Sequence, residues 1–232
     1  MQKPKTYYRN GKTIHYLLHL PENIKGVNNE KWPMILFLHG AGERGDDLNT
    51  IKVHGIPKII EANREFPFIV VSPQCPLGDY WTSNVSILDS LMDSLVKELP
   101  VDKNRLYLTG MSMGGIGGWH LLMRNPDRFS AFVPVCGGFS IPDMRRKRVL
   151  EPDSAEELFR KLPKVLRIPI WAFHGENDDI VPPVETRRII ETLQHEGGNA
   201  KLTVYKGVGH DAWTETYKKE ELYKWLTKQT KS

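Results

Sequence analysis

Met34-Ile-Leu-Phe-Leu38 is five apolar residues with no polar alternation, and Phe68-Ile-Val-Val71 repeats the pattern further along the chain. A strand with water on one face alternates; a strand without alternation is covered on both. Such runs require a sheet flanked by helices on either side, and the rest of the chain supplies strands and helices in turn. Ser72-Pro73 is expected to end the second run. A helix is predicted over about 84–99, where Val85, Leu88, Met92, Leu95, Val96 and Leu99 step by three and four ahead of Pro100. The pattern continues with a strand at Arg105–Thr109, a helix at Met113–Arg124, and strands at Ala131–Cys136 and Ile168–Phe173. A helix at Val184–His195 closed by Gly197-Gly198, a strand at Lys201–Tyr205 and a helix at Trp213–Lys228 complete it. Ahead of all these, residues 5–20 alternate about Asn10-Gly11, the signature of an antiparallel hairpin. The expected class is α/β, with a mostly parallel central sheet and helices on both faces.

A chain of 232 residues suits one domain over 1–232. The one irregular stretch, about 137–165, carries Arg145-Arg146-Lys147-Arg148 and a short helix predicted near Ala155–Lys161, and is too short for a second domain. That basic cluster accounts for part of a net charge of +4 and reads as a solvated loop. Nucleic-acid binding calls for a broader basic face. No apolar segment approaches the roughly 18 residues of a membrane span. The N-terminus has basic residues without the apolar core of a signal peptide, so the chain is expected to be cytoplasmic, or secreted with its leader removed. Cys75 and Cys136 form no disulfide framework, and no spacing suggests a metal site.

Gly110-Met-Ser112-Met-Gly114 has the form G-x-S-x-G between a predicted buried strand and a predicted helix, the setting of a nucleophile elbow. Alone the pattern is weak, because a glycine-rich turn can hold an idle serine. The glycines have a steric reason: a serine on a strained turn needs neighbours without Cβ atoms so that strand and helix can approach. A serine hydroxyl also needs a base to take its proton, and the base needs an acid to orient it, in the chain order Ser, acid, His. Only His195 and His210 follow the strand Ile168–Phe173 and its loop. His195 ends a helical pattern; His210 lies in the turn Lys206-Gly-Val-Gly-His-Asp211 between a strand and a helix, and is the better base. The turn His174–Pro182 offers Glu176, Asp178 and Asp179, and residue chemistry leaves Asp178 and Asp179 as alternatives for the acid. Two backbone N–H donors must meet the oxyanion. Met113 directly after the serine is one, and the small-residue loop His39–Gly45 supplies the other; that loop lacks the lysine and hydroxyl of a P-loop.

LFLHGAGERGDD (36–47), SPQCP (72–76), the LTGMSMGG elbow, PVCGG (134–138), WAFHGENDDIVP (171–182) and GVGHDAWTETY (207–217) together resemble the α/β-hydrolase esterases. The closest group is the dienelactone-hydrolase-like carboxylesterases that include feruloyl and acetylxylan esterases, some of whose members are labelled predicted peptidases. The resemblance runs over about 31–226. It implies an α/β-hydrolase fold without a large lid domain, Asp178 as the acid with Asp179 structural, and Ala41 as the second oxyanion donor. It also makes His39 and His174 buried framework residues. In that fold the strands ending near Cys75 and Cys136 are three steps apart, about 14 Å at the usual spacing, so both thiols should be free.

The expected activity is therefore hydrolysis of a carboxylic ester by Ser112, Asp178 and His210, with no metal or cofactor. Tyr80, Trp81 and Trp213 are expected on loops near the site, where aromatic faces suit a sugar ring or phenolic acyl group. The likeness points to feruloyl or acetyl esters linked to polysaccharide, or to a small-molecule ester. A peptide hydrolase with the same triad is the alternative, and a non-catalytic binding module would have no use for an intact triad.

Overall fold

Along Trp32–Leu38 the side chains take opposite sides of one sheet: Met34, Leu36 and Leu38 join one apolar cluster, Ile35 and Phe37 another. All five are fully buried, and each contributes roughly 1.5–3 kcal/mol relative to exposure. This is why the run lacks alternation. The computed structural model describes residues 2–25, 30–63, 65–140 and 154–231.

The strands are β1 (Lys3–Arg9), β2 (Lys12–His19), β3 (Trp32–Leu38), β4 (Ile69–Pro73), β5 (Val101–Met111), β6 (Ala131–Val135), β7 (Ile170–Gly175) and β8 (Ala200–Tyr205). They form one sheet in the order β1-β2-β4-β3-β5-β6-β7-β8. β1 and β2 are the expected hairpin about Asn10-Gly11, and β2 also runs antiparallel to β4; every other pairing is parallel. The helices are α1 (Gly55–Ala62), α2 (Trp81–Glu98), α3 (Met113–Arg124), α4 (Ala155–Lys161), α5 (Pro183–His195), α6 (Trp213–Lys218) and α7 (Glu220–Thr227). Buried residues of α2, α3, α4 and α5 share one face of the sheet; those of α1, α6 and α7 share the other. This is the α/β-hydrolase architecture. Between β6 and β7 the described residues form α4, which packs against α3, and a short 3-10 helix at Leu162–Val165; no lid domain occurs among the described residues. No described helix is long and apolar enough to cross a membrane.

Several boundaries differ from expectation. β4 runs on through Ser72-Pro73, because Pro73 pairs with Tyr16 of β2 beyond the last β3 partner, Val71, where one ladder suffices. α2 starts at Trp81, ahead of its apolar stripe, with Asp79 accepting the Tyr80 N–H and an Asn84 amide hydrogen. The C-terminal helix is two helices. Lys219 is extended between them (ψ 117°), and Tyr223 Oη donates to the Tyr217 carbonyl. The break lets Tyr217 reach Thr109 on β5 while Leu222 and Leu226 pack against the same face. α1 carries no clear helical signal, having Pro57 inside a short run.

Cys75 and Cys136 follow β4 and β6, three steps apart, and both are free and buried. Burial pushes the Cys75 thiol up to about 12 and Cys136 well above its ordinary value. The basic run Arg145–Arg148 lies outside the described residues.

Candidate active site

β5 delivers Ser112 at its C-terminal end, and α3 starts at the next residue. Ser112 has φ 52° and ψ −117°, a conformation that L-residues rarely adopt and that costs of order 1–3 kcal/mol. It persists because its surroundings allow nothing else. Ser112 N–H donates to the Val135 carbonyl, and Ile116 N–H to the Ser112 carbonyl. A Cβ at Gly110 would lie 2.3 Å from the Gly114 carbonyl oxygen, and one at Gly114 would lie 2.0 Å from that of Leu38. The glycines on either side of Ser112 thus let β5, α3 and the end of β3 come within backbone contact.

Two loops at the same edge of the sheet bring the partners. The turn after β7 carries Asp178, whose Oδ1 accepts the N–H groups of Ile180 and Val181 at 3.0 and 2.9 Å. Its Oδ2 accepts His210 Nδ1–H at 2.7 Å and lies 3.1 Å from His174 Nε2. The turn after β8 carries His210, and its Nε2 accepts from Ser112 Oγ at 2.8 Å. Burial by itself would push the Asp178 carboxyl up. The hydrogen bonds from His174, His210 and the Val181 N–H outweigh it and hold that carboxyl well below the usual range. Asp178 is therefore an anion throughout the neutral range, facing an imidazole that can accept a proton on its far nitrogen.

Between the two aspartates geometry decides: Asp178 is buried against His210, whereas Asp179 is exposed. Glu176 is turned elsewhere, accepting the Gly207 N–H. His195 ends α5 on the surface. His39 and His174 are fully buried. His39 Nε2 accepts the Cys75 N–H at 2.9 Å, so its Nδ1–H faces the Gly40 carbonyl at 2.6 Å. Burial holds its pKa down to about 4. His174 donates from Nε2 to the Val181 carbonyl and sits 3.0 Å from Thr186 Oγ1 through Nδ1, which steadies the Asp178 turn.

Ala41 opens a short 3-10 turn (Ala41–Glu43) after β3, and Met113 is the first residue of α3. The close approach of Gly114 to Leu38 brings the two segments together beside Ser112. The first N–H groups of a helix have no intrahelical acceptor, which leaves Met113 N–H available to an oxyanion.

Of the three aromatic residues expected on loops near the site, Tyr80 and Trp81 are buried. Trp81 is fully buried, its indole N–H donating to the His39 carbonyl at 2.9 Å. Tyr80 is buried under the Arg44 guanidinium, 4.8 Å from its ring centre. Trp81 belongs to the core because α2 begins three residues earlier than its stripe suggested, and Tyr80 directly precedes that start. Trp213 is half-buried with its ring edge-on to His210 at 5.3 Å. Sequence reasoning missed two further neighbours. His54 lies edge-on to Trp213 at 5.7 Å, and Glu43 Oε1 is 3.9 Å from His54 Nε2. Glu43 stood inside the quoted loop motif without a role, and nothing in the sequence marks His54.

Among the described residues, Cys136, Asp178 and His210 place potential metal-binding atoms within 4.8 Å of one another. Asp178 Oδ2 and His210 Nδ1 bond each other, and the fully buried thiol is held protonated, so the set does not suit a cation.

A serine on an elbow, an imidazole and a buried carboxylate at the carboxyl edge of a mostly parallel sheet define the class of α/β-hydrolases. A model of the prolyl oligopeptidase family matches residues 88–232, and the chain belongs to that family. Over 183 residues, 74% of its length, it is 25% identical to a bifunctional acetylxylan esterase/xylanase of Neocallimastix patriciarum. It spans only 22% of that protein. Among solved structures, a thermostable esterase superposes with a TM-score of 0.80 at 28% identity, over 99% of this chain and 63% of the other. A ferulic acid esterase matches the fold at 18% identity with a TM-score of 0.74, over 98% of both chains.

Proposed function

We propose that the chain is a single-domain serine carboxylic-ester hydrolase acting on feruloyl, acetyl or similar esters linked to carbohydrate. The observation that carries the reading is the continuous relay from Ser112 Oγ to His210 (2.8 Å) to Asp178 (2.7 Å). In this reading His210 Nε2 takes the hydroxyl proton as Ser112 attacks the ester carbonyl. The N–H groups of Ala41 and Met113 receive the oxyanion, where preorganised donors lower the barrier by several kcal/mol. The same nitrogen returns its proton to the leaving alcohol. Water, deprotonated by His210, then releases the acid from the acyl-enzyme. Asp178 keeps the proton-bearing Nδ1 toward itself, so Nε2 is free to accept at the start of each half-reaction. Similarity to the acetylxylan esterase/xylanase and to the thermostable esterase supports an ester as substrate.

Fluorophosphonate labelling of the wild type, lost in Ser112→Ala, tests the nucleophile. A panel of short-acyl, feruloyl and acetyl-sugar esters tests the substrate; activity on none of them overturns the reading. The family description favours a second reading, a small-peptide hydrolase with the same triad. Comparing kcat/KM on an ester and an amide of one acyl group separates the two, and a preference for the amide decides for the peptide.

A further inference from the structure

Beside the relay stands a second imidazole–carboxylate pair that the reaction above does not use. His54 follows a short turn at Thr50–Val53, and its side chain is 35% exposed. Glu43 lies two residues beyond Ala41 on the same turn, with its side chain only 10% exposed. The carboxylate faces His54 through Oε1 at 3.9 Å, while Oε2 leans toward Gly40 and lies 3.8 Å from His39 Nδ1. Burial pushes the Glu43 carboxyl up, and the nearby His54 charge pulls it back. Trp213 closes the set: its ring is edge-on to His54 at 5.7 Å and to His210 at 5.3 Å.

The place of this group decides its use. An ester held for attack has its carbonyl oxygen at the Ala41 and Met113 N–H groups and its leaving oxygen within reach of His210 Nε2, which must protonate it. The leaving oxygen is thus on the His210 side of the carbonyl, where Trp213 touches His210 and His54 touches Trp213 in turn. At 3.9 Å the Glu43 contact is longer than a hydrogen bond, so a ring nitrogen of His54 can still take a hydrogen-bond partner. A half-exposed indole beside an imidazole offers what a sugar needs, an apolar wall with a polar group at its margin.

We propose that His54, oriented by Glu43 and walled by Trp213, forms the leaving-group subsite and recognises a hydroxyl next to the scissile ester on a sugar alcohol. His54 is the specificity residue and Glu43 a positioning residue that acts through it. The proposal rests on the carbohydrate-ester reading above.

The test compares two substrates with one acyl group, acetylated xylobiose and p-nitrophenyl acetate. Both form the same acetyl-enzyme, so a leaving-group residue acts on acylation only. In His54→Ala, kcat/KM on the acetylated sugar falls by about tenfold or more, and its ratio to kcat/KM on p-nitrophenyl acetate falls with it. The deacylation rate constant from the burst and steady-state phases is expected to stay within about twofold of wild type. His54→Gln, which keeps a hydrogen-bonding group, recovers part of the loss; Glu43→Gln shows the same selectivity with a smaller effect. Equal losses on both substrates, or slower deacylation, would assign His54 to the support of His210 and overturn the subsite alone. A wild type that turns over p-nitrophenyl acetate and leaves acetylated xylobiose untouched overturns the carbohydrate reading and the subsite together.

Discussion

The elbow and the rim of the site are built on opposite principles. Around Ser112, residues from Gly110 to Gly118 other than the serine are all buried, and the backbone is held by what it excludes: no Cβ fits at Gly110 or Gly114. Around His54, Ala41 and Trp213, side chains are half-buried, contacts are ring edges and a 3.9 Å imidazole–carboxylate approach, and a Cβ added at Gly42 would meet nothing within 4 Å. Steric exclusion leaves Ser112 one position. Polar and aromatic contacts leave the rim room to differ. The floor should therefore answer to substitution with loss of chemistry or of fold, and the rim with changes in selectivity.

The largest effect is expected at the serine itself. Ser112→Ala should lower kcat/KM on a p-nitrophenyl ester by about 10³–10⁶-fold, with an unchanged far-UV spectrum. Retention of near wild-type turnover would remove the elbow from the chemistry. Next, Gly114→Ala puts a methyl 2.0 Å from the Leu38 carbonyl oxygen and should destabilise the fold by on the order of 3–5 kcal/mol, read from the urea midpoint. A loss below about 1 kcal/mol would mean that the close approach is not what holds the turn.

A third test uses pH. His39 titrates at about 4 in the folded chain against 6.5 when exposed, so the unfolded chain binds this proton first as pH falls. The stability it contributes is complete above about 6.5, declines by up to about 3 kcal/mol as pH falls to about 4, and changes no further below. Urea unfolding at pH 7 and pH 4.5 measures the decline, and His39→Gln should flatten it. The smallest effect belongs to the rim: Gly42→Ala should change stability by less than about 0.5 kcal/mol. A large loss there would erase the contrast between floor and rim.

Much of this was legible before any coordinates. Apolar runs without alternation read as strands of a two-faced sheet because burial on both sides acts on every residue of the strand. The chain order of serine, acidic turn and histidine was legible because each must stand on a loop at one edge of that sheet. Elsewhere several local patterns compete, and packing chooses. Trp213–Lys228 keeps helical periodicity across Lys219, yet Tyr217 and Leu222 reach the sheet only through a break. Tyr80 and Trp81 look like loop aromatics until α2 starts at Trp81 and carries that ring into the core.

By its own pattern, then, the chain determined the two-faced sheet, the glycine-flanked turn at Ser112 and the turn that holds His210, since each leaves a periodicity or a motif within one segment. Only the tertiary structure brought Asp178 rather than Asp179 to His210, buried Tyr80 and Trp81, and brought His54 and Glu43 to Trp213. Those outcomes depend on distances between segments remote in sequence, and such distances exist only after the sheet has closed them.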